Sequence, residues 1–113
     1  MPFYLHQVSY TPEAVARLIA NPQDRMDAVR EPIEKLGGKI KDGYFAFGHH
    51  DVIVITEMPD NVSAAAISLA FTAGGAVRSS ETIALMTTAE ALEAMRKAGS
   101  CGYKPVTAAA ATA

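Results

Sequence analysis

The chain has 113 residues and a formal net charge of −2; half of its residues are hydrophobic and 19% are charged. This length and composition predict one globular domain with a single core. The basic residues are scattered, which excludes the basic stripe of a nucleic-acid binder. The single cysteine, Cys101, excludes an intrachain disulfide and has no neighbouring base to activate it. Without a signal-like start or an apolar run of bilayer length, a cytoplasmic protein with no membrane contact is expected.

The first third of the chain predicts a strand followed by two helical segments. Residues 3–10 are rich in aromatic and branched side chains, which is typical of a strand. Thr11 is a suitable N-cap for a first helix, and Asn21-Pro22 ends that helix because proline lacks an N–H and disfavours a helical residue before it. Asp24 caps a second helix, in which Pro32 is expected to cause a kink or to free a carbonyl near Ala28.

The middle of the chain predicts a β-hairpin. A Gly-Gly pair ends the second helix, and residues 39–47 form a strand with a bend or bulge at Asp42-Gly43. Gly48-His49-His50-Asp51 is a polar turn that joins this strand to residues 52–57. Residues 52–56 are all β-branched, which favours a strand. They do not alternate between apolar and polar, so both faces of this strand are expected to be apolar. A connection of four residues allows only antiparallel pairing.

The last part of the chain predicts a helix, a strand and a further helix. Residues 62–73 form an alanine-rich helix that Gly74-Gly75 ends, and residues 76–86 alternate as a fourth strand. Thr87-Thr88-Ala89-Glu90 fits a capping box that opens the last helix. One domain is expected over residues 1–98, and residues 99–113 are expected to form a flexible, alanine-rich tail.

This order of elements predicts a ferredoxin-like α+β fold, βαββαβ, with an additional C-terminal helix. Right-handed crossovers place the helices on one face of a four-stranded antiparallel sheet whose first and third strands are central. The other face carries large apolar side chains that a soluble monomer rarely exposes. A homodimer or higher homo-oligomer joined through the sheets is therefore expected, as in a dimeric α/β-barrel. The alternative is a monomer whose last helix folds back over that face.

Four separated segments carry a family resemblance: Met-Pro-x-Tyr at the start, Glu34 to Lys39, Gly48-x-x-Asp51-Val52-x-Val54-Ile55, and Gly75 to Thr82. Over residues 1 to about 98 the chain resembles the GYD domain family, small bacterial proteins named after a Gly-Tyr-Asp motif before the third strand. The resemblance implies a relationship to dimeric α/β-barrel proteins, and hence a dimer. It implies no activity, because the family has no established common one.

The chain departs from the family motif at its tyrosine, where His50 stands after His49. The motif residues Gly48, His50 and Asp51 are interpreted as a hairpin turn, in which Gly48 supplies backbone freedom and Asp51 accepts local N–H bonds. The alternative is a metal site, because the imidazoles of His49 and His50 suit zinc or another divalent ion. Adjacent residues of an extended segment point to opposite sides, so one chain offers two ligands at most without help from His6 or Glu57.

His6 lies among apolar neighbours in the first strand and is a candidate general base in a dimer cavity. Tyr44 and His50 are the other candidate acids or bases. The alternative for His6 is a hydrogen-bonded histidine in the core or at an interface.

Arg78, Ser80 and Thr82 share one face of the predicted fourth strand. They are a candidate site for an anionic ligand, with Arg78 making a bidentate contact. Alternatively, Arg78 pairs across the dimer with a carboxylate of Glu81 or Asp51.

Three functional hypotheses follow from these residues. The first is an oligomeric module that binds a small molecule, or regulates, through a cavity at the sheet. The second is a cofactor-independent isomerase or oxygenase of the dimeric α/β-barrel type. The third is a metal-binding protein built on His49 and His50. No cofactor is expected, because neither a phosphate loop nor a dinucleotide fingerprint occurs.

Overall fold

A computed structural model of the protein describes residues 1–106, in which four strands and four helices follow the predicted order. The strands are β1 (Phe3–Tyr10), β2 (Lys39–Phe45), β3 (Val52–Glu57) and β4 (Val77–Leu85). The helices are α1 (Pro12–Ala20), α2 (Arg25–Lys35), α3 (Asn61–Ala73) and α4 (Thr88–Ser100). The predicted ferredoxin-like α+β fold with an additional C-terminal helix is confirmed.

The described strands form one antiparallel sheet in the order β2-β3-β1-β4. β1 and β3 are therefore central, as predicted, and β2 and β4 are the edges. The register pairs Tyr4 with Thr56 and His6 with Val54. Directly opposed residues of an antiparallel pair share a face, so these side chains all point to the same side of the sheet.

This side of the sheet packs against α2 and α3 and holds the core. One cluster of buried residues consists of Tyr4, Ile33, Met58, Ala64 and Ile67. A second cluster, nearer the β2–β3 turn, consists of Val8, Val52 and Val54. The alternating burial of β3, in which every second residue is buried, shows which of its two apolar faces the helices cover.

Side-chain caps begin each of the four helices. The caps of the first three helices accept a bond from a first-turn amide; they are Thr11, Asp24 and Asp60. Thr87 and Glu90 form the predicted capping box of α4. α2 runs unbroken through Pro32, so the proline removes one helical hydrogen bond without ending the helix.

Gly43 allows α2 to approach β2 closely. A Cβ at this position would collide with the Met26 side chain of α2. The predicted irregularity of this strand is present but lies before Asp42-Gly43, because the register of β2 against β3 shifts between Ile40 and Asp42. β2 ends at Phe45 rather than at residue 47, because the chain turns there to cross toward β1.

The face of the sheet opposite to α2 and α3 is here called the open face. β1 contributes Leu5, which lies opposite Ile55 of β3 and Ile83 of β4. Ile83 and Leu85 are 43% and 37% exposed. Within the described part of the chain, no helix packs extensively on this face.

α4 projects from the domain and does not fold back over the open face. None of its residues is buried, and Leu92 and Met95 are 51% and 65% exposed. The radius of gyration is 18.8 Å, well above the roughly 13 Å of a compact domain of about 100 residues. The alternative of a monomer closed by its last helix is therefore not the arrangement in this structure.

The segment after α4, residues 101–106, forms neither helix nor strand. α4 itself runs to Ser100, past the boundary expected at residue 98. Cys101 is exposed and carries a free thiol. The alanine-rich end of the expected flexible tail, residues 107–113, lies outside the described residues. None of the helices within residues 1–106 has the length and apolar character needed to cross a bilayer.

Candidate functional site

A cavity lies between the sheet and helices α2 and α3. Its volume is about 280 Å³, near the lower end of the roughly 300–1,000 Å³ that small-molecule pockets occupy. It is bounded by Val52 and Val54 of β3, Val29 and Pro32 of α2, and Ile67 and Phe71 of α3. A small apolar molecule, or the apolar part of one, fits this lining.

Two polar side chains lie next to each other in the cavity lining, Tyr10 at the end of β1 and Arg25 at the start of α2. Both also border an adjoining depression, and this part of the cavity is here called the mouth. Arg25 carries the one charge among the described residues that line the cavity. Burial raises the pKa of the Tyr10 phenol, the nearby Arg25 guanidinium opposes this shift, and the Asp51 carboxylate adds to it. The phenol therefore keeps its proton at neutral pH and is available as a hydrogen-bond donor.

Asp51 holds the end of β1 that carries Tyr10. β3 begins at Val52, opposite Val8, so it has no backbone carbonyl for the Tyr10 amide. The Asp51 carboxylate takes that place, with Oδ2 accepting from the Tyr10 amide over 2.8 Å. The Asp51 amide also donates to the Val8 carbonyl over 2.8 Å, and its carbonyl accepts from the Ala46 amide over 2.7 Å. One residue thus ties the β2–β3 turn to the central strand.

His50, from the same turn, lies between Ser9 of β1 and Glu81 of β4. The Ser9 hydroxyl donates to the His49 carbonyl over 3.1 Å and lies 3.2 Å from His50 Nδ1, from whose N–H it can accept a hydrogen bond. His50 Nε2 lies 3.6 Å from a Glu81 carboxylate oxygen. These contacts attach the turn to the sheet.

His49 and His50 come close together without a third ligand. Their rings meet edge to face, with centroids 4.9 Å apart. Within residues 1–106, no group of three or more His, Cys, Asp or Glu side chains is placed to hold a metal ion. Gly48 does not have a positive φ, and a Cβ there would meet no atom within 4 Å, so this turn geometry does not itself require glycine.

His6 is fully buried in the layer between the sheet and α3. Nε2 lies 2.8 Å from Thr56 Oγ1 and Nδ1 lies 3.1 Å from Thr82 Oγ1, so both ring nitrogens have partners. The ring also meets Phe71 edge to face. Burial lowers the pKa of His6 from 6.5 to about 4, so the imidazole is neutral at physiological pH.

The structure separates the three candidate acids and bases. Tyr44 lies opposite Ile53 and His6 lies opposite Val54, so the two side chains project from different faces of the sheet. His50 lies in the turn, beside Ser9. The three residues do not converge within one subunit.

The predicted anion-binding group is brought together only in part, because Ser80 and Thr82 share a face of β4 and Arg78 does not follow their alternation. The Ser80 hydroxyl lies 3.1 Å from the Ser68 hydroxyl of α3, and Thr82 is the partner of His6. β4 pairs Ser79 with Ser9 but Val77 with Tyr10, which leaves Arg78 as an extra, exposed residue at the register shift. Arg78 therefore does not share the alternation of Ser80 and Thr82.

Tyr10 and Arg25 look ordinary in the sequence, as a strand aromatic and a helical base. They meet because the connection from α1 to α2 returns the chain to the end of β1. One local signal does distinguish Arg25. It occupies the first turn of a helix, where the positive end of the helix dipole favours acidic residues, so an arginine there runs against the local preference.

The elements and their order define a ferredoxin-like α+β protein with an apolar cavity beneath two of its helices. The family model of the GYD domain matches residues 4–95, which is most of the chain, and the protein belongs to the GYD domain family. The resemblance inferred from the sequence is thereby confirmed. The matched span contains Tyr10, Arg25 and Asp51. A search of curated proteins gives no match.

Replacement of Asp51 tests its part in holding the end of β1. Asp51→Ala leaves the Tyr10 amide without its acceptor, and the expected loss is about 1–3 kcal/mol in the free energy of unfolding, measured by chemical denaturation. Asp51→Asn keeps an oxygen acceptor at the same distance and should lose clearly less. Equal losses in the two variants would contradict the role given to this hydrogen bond.

The buried histidine makes stability depend on pH in a defined direction. The pKa of His6 is about 4 in the folded protein and 6.5 in the unfolded chain. As the pH falls, the unfolded chain takes up the proton first, so the contribution is complete above pH 6.5 and is lost toward pH 4. The expected loss in the free energy of unfolding is up to roughly 1.4 kcal/mol per pH unit in that window.

The measurement compares the wild type with His6→Gln by chemical denaturation at several pH values. The other titrating groups are common to both proteins, so the difference between the two curves isolates His6. The wild type should lose stability more steeply than His6→Gln below pH 6.5. Parallel curves would show that His6 is not a neutral, buried group.

Proposed function

We propose that this member of the GYD domain family is a non-enzymatic module that binds a small molecule in the cavity between the sheet and helices α2 and α3. The cavity itself carries the proposal: its walls are apolar, and its two polar side chains stand together at one end. Apolar enclosure with a few placed polar groups is the usual composition of a ligand site. An apolar body inside the cavity would be oriented by polar groups at the mouth.

The cavity is accessible without unfolding the domain. Ala28 of α2 and Ala70 of α3 both line it and are both exposed. These small side chains leave an opening between the two helices. Entry therefore requires no movement of the sheet or of the core around Ile33 and Ile67.

We further propose that the working form is an oligomer of this chain, joined through the open face. The face presents Leu5, Ile55 and Ile83 side by side across three strands, and α4 leaves them uncovered. A contiguous apolar surface of this kind favours burial against a partner. A second copy is the partner of matching chemistry, because a two-fold axis would place one apolar face on another.

Blocking the cavity tests the ligand-binding proposal. The neutral fluorescent probe N-phenylnaphthylamine should bind to the wild type with increased emission. Ala70→Phe places an aromatic ring at the opening, and the expected result is binding weaker by about tenfold or more, a factor that corresponds to roughly 1.4 kcal/mol. The measurement is a fluorescence titration.

The matched control is Ala73→Phe, which adds the same ring to an exposed position of α3 outside the cavity lining. It should bind the probe as the wild type does. If both variants bind the probe equally well, the cavity is not its site and the proposal fails.

A charged substitution on the open face tests whether the chain forms an oligomer through this face. Ile83→Lys should shift the mass measured by light scattering at micromolar concentration from a dimer or larger oligomer to a monomer, because the interface would bury an unpaired ammonium group. Ile19→Lys is the control, since Ile19 is 75% exposed on α1, away from the open face. A monomeric wild type would refute this part of the proposal.

A further inference from the structure

The polar and apolar parts of the cavity lining are separated from each other. Its inner walls are aliphatic and aromatic, whereas its one charged lining side chain among the described residues, Arg25, lies at the mouth. A ligand that was apolar throughout would gain nothing from this cation. The placement instead matches a molecule with an apolar body and one charged end.

Arg25 has donors to spare. It is half-buried, and its Nη1 donates to Gln23 Oε1 over 3.0 Å. No carboxylate within the described residues forms an ion pair with it. Arg25 also lies within hydrogen-bond reach of the Tyr10 phenol oxygen. A guanidinium has five N–H donors in a planar fork, so further donors are available to an anion.

The surroundings of Arg25 favour an anion at the mouth. Tyr10 lines the mouth beside it and has a phenol that can donate a second hydrogen bond. A shallow depression of about 190 Å³ adjoins the mouth, and Arg17 of α1 lines it together with Tyr10 and Arg25. Two guanidinium groups thus lie beside the mouth, Arg25 in the cavity lining and Arg17 in the adjoining depression.

The acidic residues nearby are occupied by backbone donors. Asp51 Oδ2 accepts from the Tyr10 amide, and Asp24 Oδ1 accepts from the Met26 amide at the start of α2 over 2.9 Å. Asp24 therefore caps α2, and Asp51 is the acceptor for the last amide of β1. Neither forms an ion pair with Arg25.

We propose that the ligand of this cavity is a small carboxylic acid with a hydrocarbon or aromatic body, whose carboxylate binds to Arg25 and Tyr10 at the mouth. This inference rests on the proposed function, because it requires that the cavity take up a small molecule. A carboxylate matches the guanidinium fork in two parallel hydrogen bonds. The apolar body would lie along Val52, Val54 and Phe71.

The test compares two probes that differ only in their polar end, octanoate and n-octanol, by isothermal titration calorimetry with the full-length protein. In the wild type, octanoate should bind about tenfold more tightly than n-octanol, because a charge-assisted bidentate contact is worth at least one such factor. Arg25→Gln should reduce the difference to less than about threefold, because it removes the charge-assisted contact to octanoate and weakens octanoate binding more than n-octanol binding.

Arg30→Gln is the matched control, because Arg30 lies on the same helix, is exposed and does not line the cavity. It should keep the preference for octanoate. The inference is overturned if the wild type prefers n-octanol, binds both probes equally, or keeps its preference for octanoate after Arg25→Gln.

The outcomes separate this inference from the proposal on which it rests. If both probes bind equally and Ala70→Phe abolishes their binding, the cavity is a ligand site but has no preference for a carboxylate. Absence of binding by either probe, together with no binding of N-phenylnaphthylamine, would remove both.

Discussion

The hydrogen bond from the Tyr10 amide to the Asp51 carboxylate completes the central strand at the point where β3 stops. A buried amide without an acceptor is costly, so the β2–β3 turn must return to β1 and deliver a side-chain oxygen there. Once the turn is fixed, His50 comes to lie against Ser9, and Tyr10 is held at the cavity mouth opposite Arg25. Asp51 in this turn thus completes the hydrogen bonding at the end of β1. The position of Tyr10 at the mouth, and hence the proposed ligand contact there, depends on this bond.

The two faces of the sheet have different chemistry. The face toward the helices is filled by buried side chains near Ile33, whereas near Val52 the side chains of α2 and α3 leave the cavity between themselves and the sheet. The open face repeats the aliphatic character of β3 without a covering layer. Ligand binding and self-association can therefore occupy opposite sides of the same strands. Neither proposal competes for the residues of the other.

The sequence predicts the elements well, because their signals are local. Caps at Thr11, Asp24 and Thr87 and the β-branched run of β3 depend only on neighbouring residues, and each lies as expected. The grouping of Arg78 with Ser80 and Thr82 depends on regular alternation, and the register shift opposite Tyr10 interrupts it. No local pattern predicts that shift, since it depends on how β4 pairs with β1, a strand distant in sequence, and accommodates one extra residue there.

The chain by itself determined the ferredoxin-like order of strands and helices, the two-sided apolar character of the central strand and membership of the GYD domain family. Only the tertiary structure decided that His6 is a neutral core residue, that α4 projects, and that Tyr10 and Arg25 share the mouth of a cavity. The physical reason is that periodicity and caps are properties of neighbouring residues, whereas a cavity is the space left when distant segments pack. The turn of Gly48 to Asp51 shows both. It belongs to one of the four segments that carry the family resemblance, and its contacts across the sheet hold the end of β1.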